Sequence, residues 1–239
     1  AMPILSIPTT LISSFIIVLV PEISESYYGK KNAQLKNDVE KAVRFTTLLT
    51  VSFIPVFTVC GEEAGIVVFG SYECGNFLSR SAFLMVFMGL SSVSTSILNS
   101  IGLEKKSLLI TAVGGAFMLL SVWLLPQRLG INALLVGLSF IYVLTSVLNL
   151  LLIRKQCPFK PAYFGALFKA CVAVLPATLL GAMLRKMLLP YLGSFFTLLV
   201  CGTILYTFTV LTFAGFGLID ISTIKTFSPL RRRKKKSVA

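Results

Sequence analysis

Three consecutive runs of this sequence, residues 81–103, 107–127 and 131–153, contain no charged side chain. Each is about as long as the roughly 20 residues a helix needs to cross the ~30 Å hydrocarbon layer of a bilayer. Runs 1–21 and 45–61 are also free of charge, and 163–184 is interrupted only by Lys169. The last uncharged run, 187–219, is too long for one crossing; Pro190 and Gly193 mark a turn that leaves a span over 194–218. Seven crossings result. They are expected to be helices, because a helix satisfies its own backbone hydrogen bonds in lipid. Barrel strands would alternate polar and apolar residues, and these runs do not. With 56% hydrophobic and 13% charged residues, too few polar faces remain for a soluble fold. A soluble enzyme and a soluble nucleic-acid binder are thereby excluded.

The first run is no secretory signal peptide: it lacks a basic leading segment and a small-residue cleavage site, and carries Pro3, Pro8 and Pro21. Being apolar from its first residue, it gives the expectation that the chain begins inside a larger protein. Basic residues assign an orientation, since Lys and Arg gather on the cytoplasmic side. Alternate connections hold 18 of the 22 Lys and Arg, and the opposite set holds four: Arg80, Arg128, Arg185 and Lys186. The first residue is expected outside and the last inside, with Lys169 reaching back to the cytoplasmic interface. The run Arg231, Arg232, Arg233, Lys234, Lys235, Lys236 reads as a topology anchor that contacts anionic lipid, not as a nucleic-acid signal. Residues 25–44 mix charges and place Leu35, Val39, Ala42 and Val43 at helical spacing. They predict an amphipathic cytoplasmic helix feeding the second span.

Candidate chemistry is sparse. Apart from Lys169 the spans hold no ionised side chain, although intramembrane charge is the usual pointer to a functional site. Glu62 and Glu63 stand at the outer end of span two, with Glu73 nearby. They read either as a hydrated interface or as a contact for a cation or headgroup. In span three, Ser92, Thr95, Ser96 and Asn99 fall at i, i+3, i+4 and i+7, one polar stripe on a helix. Such a stripe either lets helices pack closely or walls a cavity that receives uncharged polar groups such as sugar hydroxyls. Asn99 carries most weight, because a primary amide in lipid demands a partner. The five cysteines show no metal spacing, although Cys60 and Cys74 could pair on the outer side. Gly114, Gly115, Gly181 and Gly202 read as close-packing sites, and Pro55 and Pro176 as kinks. No catalytic constellation, metal set or cofactor motif is present in the sequence.

The order of short motifs carries a resemblance. Span one ends in Leu19-Val20-Pro21-Glu22-Ile23-Ser24-Glu25 and is followed by the basic helix; span two closes with Gly61-Glu62-Glu63-Ala64-Gly65 through Gly70. Span three ends in Ile97-Leu98-Asn99-Ser100-Ile101-Gly102 before Lys105 and Lys106, and span four leads through Leu125-Pro126 to Gly130-Ile131-Asn132. Over residues 5–155 this series resembles the polysaccharide-transporter branch of the MATE-like exporter superfamily, which includes stage V sporulation protein B and lipid II flippase-like proteins of the bacterial plasma membrane. The resemblance implies two helical bundles of about fourteen helices in all, working by alternating access on a lipid-linked saccharide. Aligned on Pro21 to Glu25, the chain resembles the second half, helices eight to fourteen, and its partner would be the N-terminal bundle of the same protein. Residues 1–155 would be the second-bundle core, 156–220 two further helices that by analogy line a groove for a polyprenyl tail, and 221–239 a basic cytoplasmic tail. The helix over 1–21 carries no Arg, a departure from the lipid II pattern.

The leading expectation is thus a non-enzymatic flippase for a cell-wall or capsular saccharide precursor. A cation-coupled multidrug exporter of the same fold is the alternative, disfavoured by the lack of an intramembrane carboxylate. A non-transporting membrane subunit, or an outer-face acid-dependent enzyme using Glu62, Glu63 and Glu73, is the third.

Overall fold

The computed structural model describes residues 2–130, 132–157 and 164–215. Among these, every regular element is a helix: α1 (Met2–Leu5), α2 (Ile7–Tyr28), α3 (Asn32–Phe69), α4 (Tyr72–Ser81), α5 (Leu84–Ser100), α6 (Glu104–Leu124), α7 (Pro126–Leu129), α8 (Asn132–Gln156) and α9 (Phe164–Gly215). Five stretches of helix among the described residues are long and apolar enough to cross a membrane, and six if the bent pair α4 and α5 is one span. The protein is an all-α, multi-pass membrane protein. The basic run 231–236 lies outside the described residues, as does the side chain of Lys169.

Two boundaries differ from those read in the sequence. Pro21 does not end the first span; α2 continues through it to Tyr28. The amphipathic segment is not a separate helix either. Residues 25–28 close α2, a turn at Gly29 to Lys31 reverses the chain, and everything from Asn32 to Phe69 is one helix of 38 residues. At 1.5 Å per residue α3 is about 57 Å long, nearly twice the ~30 Å hydrocarbon thickness, so its first turns lie beyond the apolar layer. Leu35, Val39, Ala42 and Val43 are all buried there, packed with Ile23, Leu98, Ile101 and Ile153. Their shared face is covered by protein.

Gly70, in the left-handed region at φ 62°, closes α3 by donating its N–H to the Ile66 carbonyl at 2.9 Å. Ser71 then caps α4, accepting from the Cys74 N–H at 3.5 Å. The two helices meet on small residues spaced four apart, Gly61 and Gly65 on α3 against Gly75 and Ser79 on α4. A methyl on Gly61 would lie 2.8 Å from the Ser79 nitrogen, and one on Gly75 would lie 2.6 Å from Glu62 Cα. This is backbone-to-backbone packing of the small-xxx-small kind. Of the glycines picked from sequence, Gly181 packs tightly on Leu205 (2.7 Å) and Gly114 on Ile141 (3.0 Å), Gly202 has ordinary clearance, and Gly115 faces open space.

Between α4 and α5 the chain bends by 60°. In α9 the helical geometry breaks at Gly193 (φ 67°, ψ 172°), where Pro190 and Gly193 predict a turn. Its two arms fold back, bringing Gly181 of the first onto Leu205 of the second, and both rest on α3. Thr209 of the second arm donates to the Ser52 carbonyl at 3.5 Å. α3 thus sits at the centre, packed by α2, α4, α5 and α9, while α8 joins α5 to α6.

Asp38 lies in the first turns of α3, only 9% exposed, where Ser26 donates to its Oδ2 at 3.3 Å. Burial raises its pKa; the Ser26 hydrogen bond opposes that, Glu22 adds to it, and Lys41 opposes it. A carboxyl whose pKa rises on folding favours the fold below its unfolded value and loses that contribution as pH rises through the folded one. Asp38→Asn is therefore expected to raise the unfolding midpoint by about 2 °C at pH 7 and to match the parent below about pH 4. Thermal scans of both proteins at the two pH values check this; equal midpoints at pH 7 would contradict it.

Candidate functional site

Adjacent positions on α3 place Glu62 and Glu63 about 100° apart on the helix, and one guanidinium fits between them. Arg185, on the first arm of α9, donates from Nε to Glu63 Oε1 at 2.8 Å and from Nη2 to Glu62 Oε2. The Tyr72 hydroxyl donates to Glu62 Oε1 at 3.3 Å. Glu63 is only 2% exposed, and its Oε2 has no hydrogen-bond partner among the described residues. The hydrated interface expected from sequence is therefore not what surrounds Glu63. The first arm of α9 lies over it, and α3 continues well past it to Phe69. Glu73 stands apart. It is exposed in the first turn of α4, where its charge suits the helix N-terminus, and it forms no ion pair among the described residues. The three carboxylates do not make one site.

Beside the ion cluster a cavity of about 300 Å³ opens between α3 and the first arm, lined by Thr58, Val59, Thr178, Ala182, Arg185, Lys186 and Leu189. Arg185 is committed to its two carboxylates. Lys186 is exposed and makes no ion pair among the described residues. Two anions on one half-buried cation make the cluster a clamp between helices, with one oxygen of the buried Glu63 left over.

The polar stripe of α5 lies at the edge of its packed face, with Thr95 turned toward α8 and Asn99 outward. Ser92, Thr95 and Ser96 are half-buried and Asn99 is exposed, whereas Ser91 and Ser94 on the other side are buried. Ser96 bonds back to the Ser92 carbonyl at 3.0 Å and Ser94 to that of Ser91 at 3.1 Å. Their hydroxyls are satisfied within the helix. The buried amide is not Asn99 but Asn149 of α8, which is fully buried. Its Nδ2 donates to Thr95 Oγ1 at 3.0 Å and reaches Ser107 Oγ of α6 at 3.5 Å. Asn149 thus ties α5, α6 and α8 together behind the stripe. Asn149 Oδ1 and, one turn earlier, Thr145 Oγ1 have no partner among the described residues. Asn149 also sits in an uncharged run, 131–153, and a primary amide there needs a partner as much as Asn99 does.

Asn149→Leu removes the three-helix tie while keeping volume. The expected loss is about 0.6–1.7 kcal/mol, the range for hydrogen bonds between membrane helices. Unfolding in mixed micelles measures it, and a gain in stability would show the amide to be a net cost.

Cys60 and Cys74 do not pair: Cys60, Cys74, Cys157 and Cys201 are all free. No group of three or more potential metal ligands exists among the described residues. In comparisons with family models, curated proteins and solved structures, nothing matches this chain.

Proposed function

We propose that this chain is part of a membrane flippase that moves a lipid-linked saccharide by alternating access, in the manner implied by its resemblance to polysaccharide transporters. The observation that carries this reading is the stripe Ser92, Thr95, Ser96 and Asn99. It is uncharged and hydrogen-bonding, with Asn99 exposed, Ser92 and Ser96 half-exposed and only Thr95 tied back to α8, and such a polar wall suits a neutral glycan headgroup better than it suits acyl chains. In this reading the arm 164–192 is the sixth crossing in chain order, which brings the total to seven, and the face of α5 looks across a central cavity toward a second bundle. The end of the molecule bearing Glu62 lies outside the bacterial plasma membrane, and the basic tail binds anionic lipid within. Reconstitution of the full-length parent with a fluorescent lipid-linked oligosaccharide tests it. Saccharide-dependent flipping that falls when Ser92, Ser96 and Asn99 are replaced by leucine is expected. Flipping of no precursor at all sinks the proposal.

A cation-coupled exporter of the same architecture gains from one observation. Glu63 is a buried carboxylate inside a long apolar helix, paired with Arg185 through Oε1 and with Oε2 unpaired among the described residues. Intramembrane carboxylates of this kind are where coupling protons and ions are held. Drug efflux that depends on proton or sodium gradients and is abolished in Glu63→Gln would favour this second reading over flipping.

A further inference from the structure

Cys60 on α3 and Cys201 on the second arm of α9 stand 141 positions apart in sequence, yet both are 0% exposed and share one small apolar cluster with Val59 and Leu205. The two side chains meet in that cluster across the seam between α3 and the second arm, with Glu63 and Arg185 as common electrostatic neighbours. The remaining described cysteines are elsewhere: Cys74 on α4 is half-buried, and Cys157 belongs to a different cluster, with Ile153 and Leu98. The seam that holds the pair is tight on both sides. Gly202, the next residue, sits within ordinary contact of Val56, and Gly181 packs on both Val59 and Leu205. Val59, next to Cys60, also lines the open cavity beside Arg185 and Lys186. The cavity and the cysteine cluster thus share Val59.

We propose that Cys60 and Cys201 are a closable disulfide pair, a modification site that staples the second arm of α9 to α3. The oxidant is a small disulfide. One protein thiolate attacks it and forms a mixed disulfide, releasing the first small thiol; the other protein thiolate then attacks that bond and releases the second. Two protein S–H bonds are lost and one S–S bond is formed, and the small disulfide leaves as two thiols carrying the electrons and the protons. Both protein sulfurs are enclosed, so closure requires the arm to lift briefly, and its rate reports that opening.

The test treats the full chain in detergent micelles with oxidised glutathione, followed by alkylation of free thiols, digestion and mass spectrometry. A peptide pair joining Cys60 to Cys201 is expected, with an intact mass lower by about 2 Da and reversal by reductant. The midpoint of thermal unfolding should rise by about 5 °C on oxidation, because the bridge closes a long loop. Cys201→Ser should abolish both the link and the rise. Three outcomes overturn the proposal: a Cys60–Cys74 link, a rise in midpoint that survives Cys201→Ser, or both thiols still free under conditions in which Cys74 of the folded chain takes up glutathione.

Discussion

Arg185→Ala is expected to destabilise the protein by about 3–5 kcal/mol, the usual consequence of leaving a buried charge without its partner. The guanidinium is hydrogen-bonded to both Glu62 and Glu63, and Glu63 is 2% exposed. Without Arg185 its carboxylate would have neither water nor a cation. Removing all three charges together, as Arg185→Met with Glu62→Gln and Glu63→Gln, should recover most of the loss, since replacing an ion group with a buried member costs far less than breaking it. Arg185→Lys should fall between, because an ammonium cannot present two parallel donors to two acceptors. Glu62 is about a quarter exposed, so Glu62→Gln alone should cost well under half of what Arg185→Ala costs. Equilibrium unfolding in mixed micelles ranks the set. A loss below about 1 kcal/mol for Arg185→Ala would mean that water reaches Glu63 in solution.

The second large effect belongs to Gly65. A methyl there would overlap the backbone nitrogen and Cα of Gly75, and neither helix can yield without separating along Gly61 and Ser79 as well. Gly65→Ala should therefore cost more than about 3 kcal/mol, at the upper end of overpacking penalties, or abolish the folded state. Two controls isolate the cause. Gly115→Ala meets open space and should be neutral or stabilising by up to about 1 kcal/mol through helix propensity. Gly70→Ala also meets nothing, but stands at φ 62°, so about 1–2 kcal/mol of backbone strain is expected. A Gly65→Ala protein no less stable than Gly70→Ala would show that α3 and α4 do not pack backbone to backbone.

How much of this was legible beforehand depends on what sets each feature. Helical, membrane-crossing segments could be read because lipid penalises every charge within them, and the gaps in the charge record at 81–103, 107–127 and 131–153 coincide with α5, α6 and α8. The buried face of Leu35, Val39, Ala42 and Val43 followed from periodicity. The boundary near residue 44 was misleading, because a change from charged to apolar composition marks where a helix enters lipid and not where it stops. No Gly or Pro occurs between Asn32 and Ile54 to end it, and the actual stops are at Gly29 to Lys31 and Gly70. The bend between α4 and α5 has no such punctuation at Ser81 to Phe83 and left no trace in the pattern. Burial of Glu63 depends on Arg185, 122 positions later. Local sequence cannot supply a pairing of that range. The Gly61 and Gly65 spacing was visible, but which helix it receives is settled only by the turn at Gly70 and Ser71.

The unbroken length of α3 has a mechanical consequence. A rod of about 57 Å carries the Asp38 junction near one end and the Glu63 clamp toward the other, with Pro55, its one proline, between them. A bend of about 10° at that point swings an end lying about 25 Å away by roughly 4 Å. The helix can work as a lever, translating a small tilt beneath Arg185 and the arms of α9 into a displacement, large on the scale of a hydrogen bond, between Ser26 and Asp38 at the far side of the molecule.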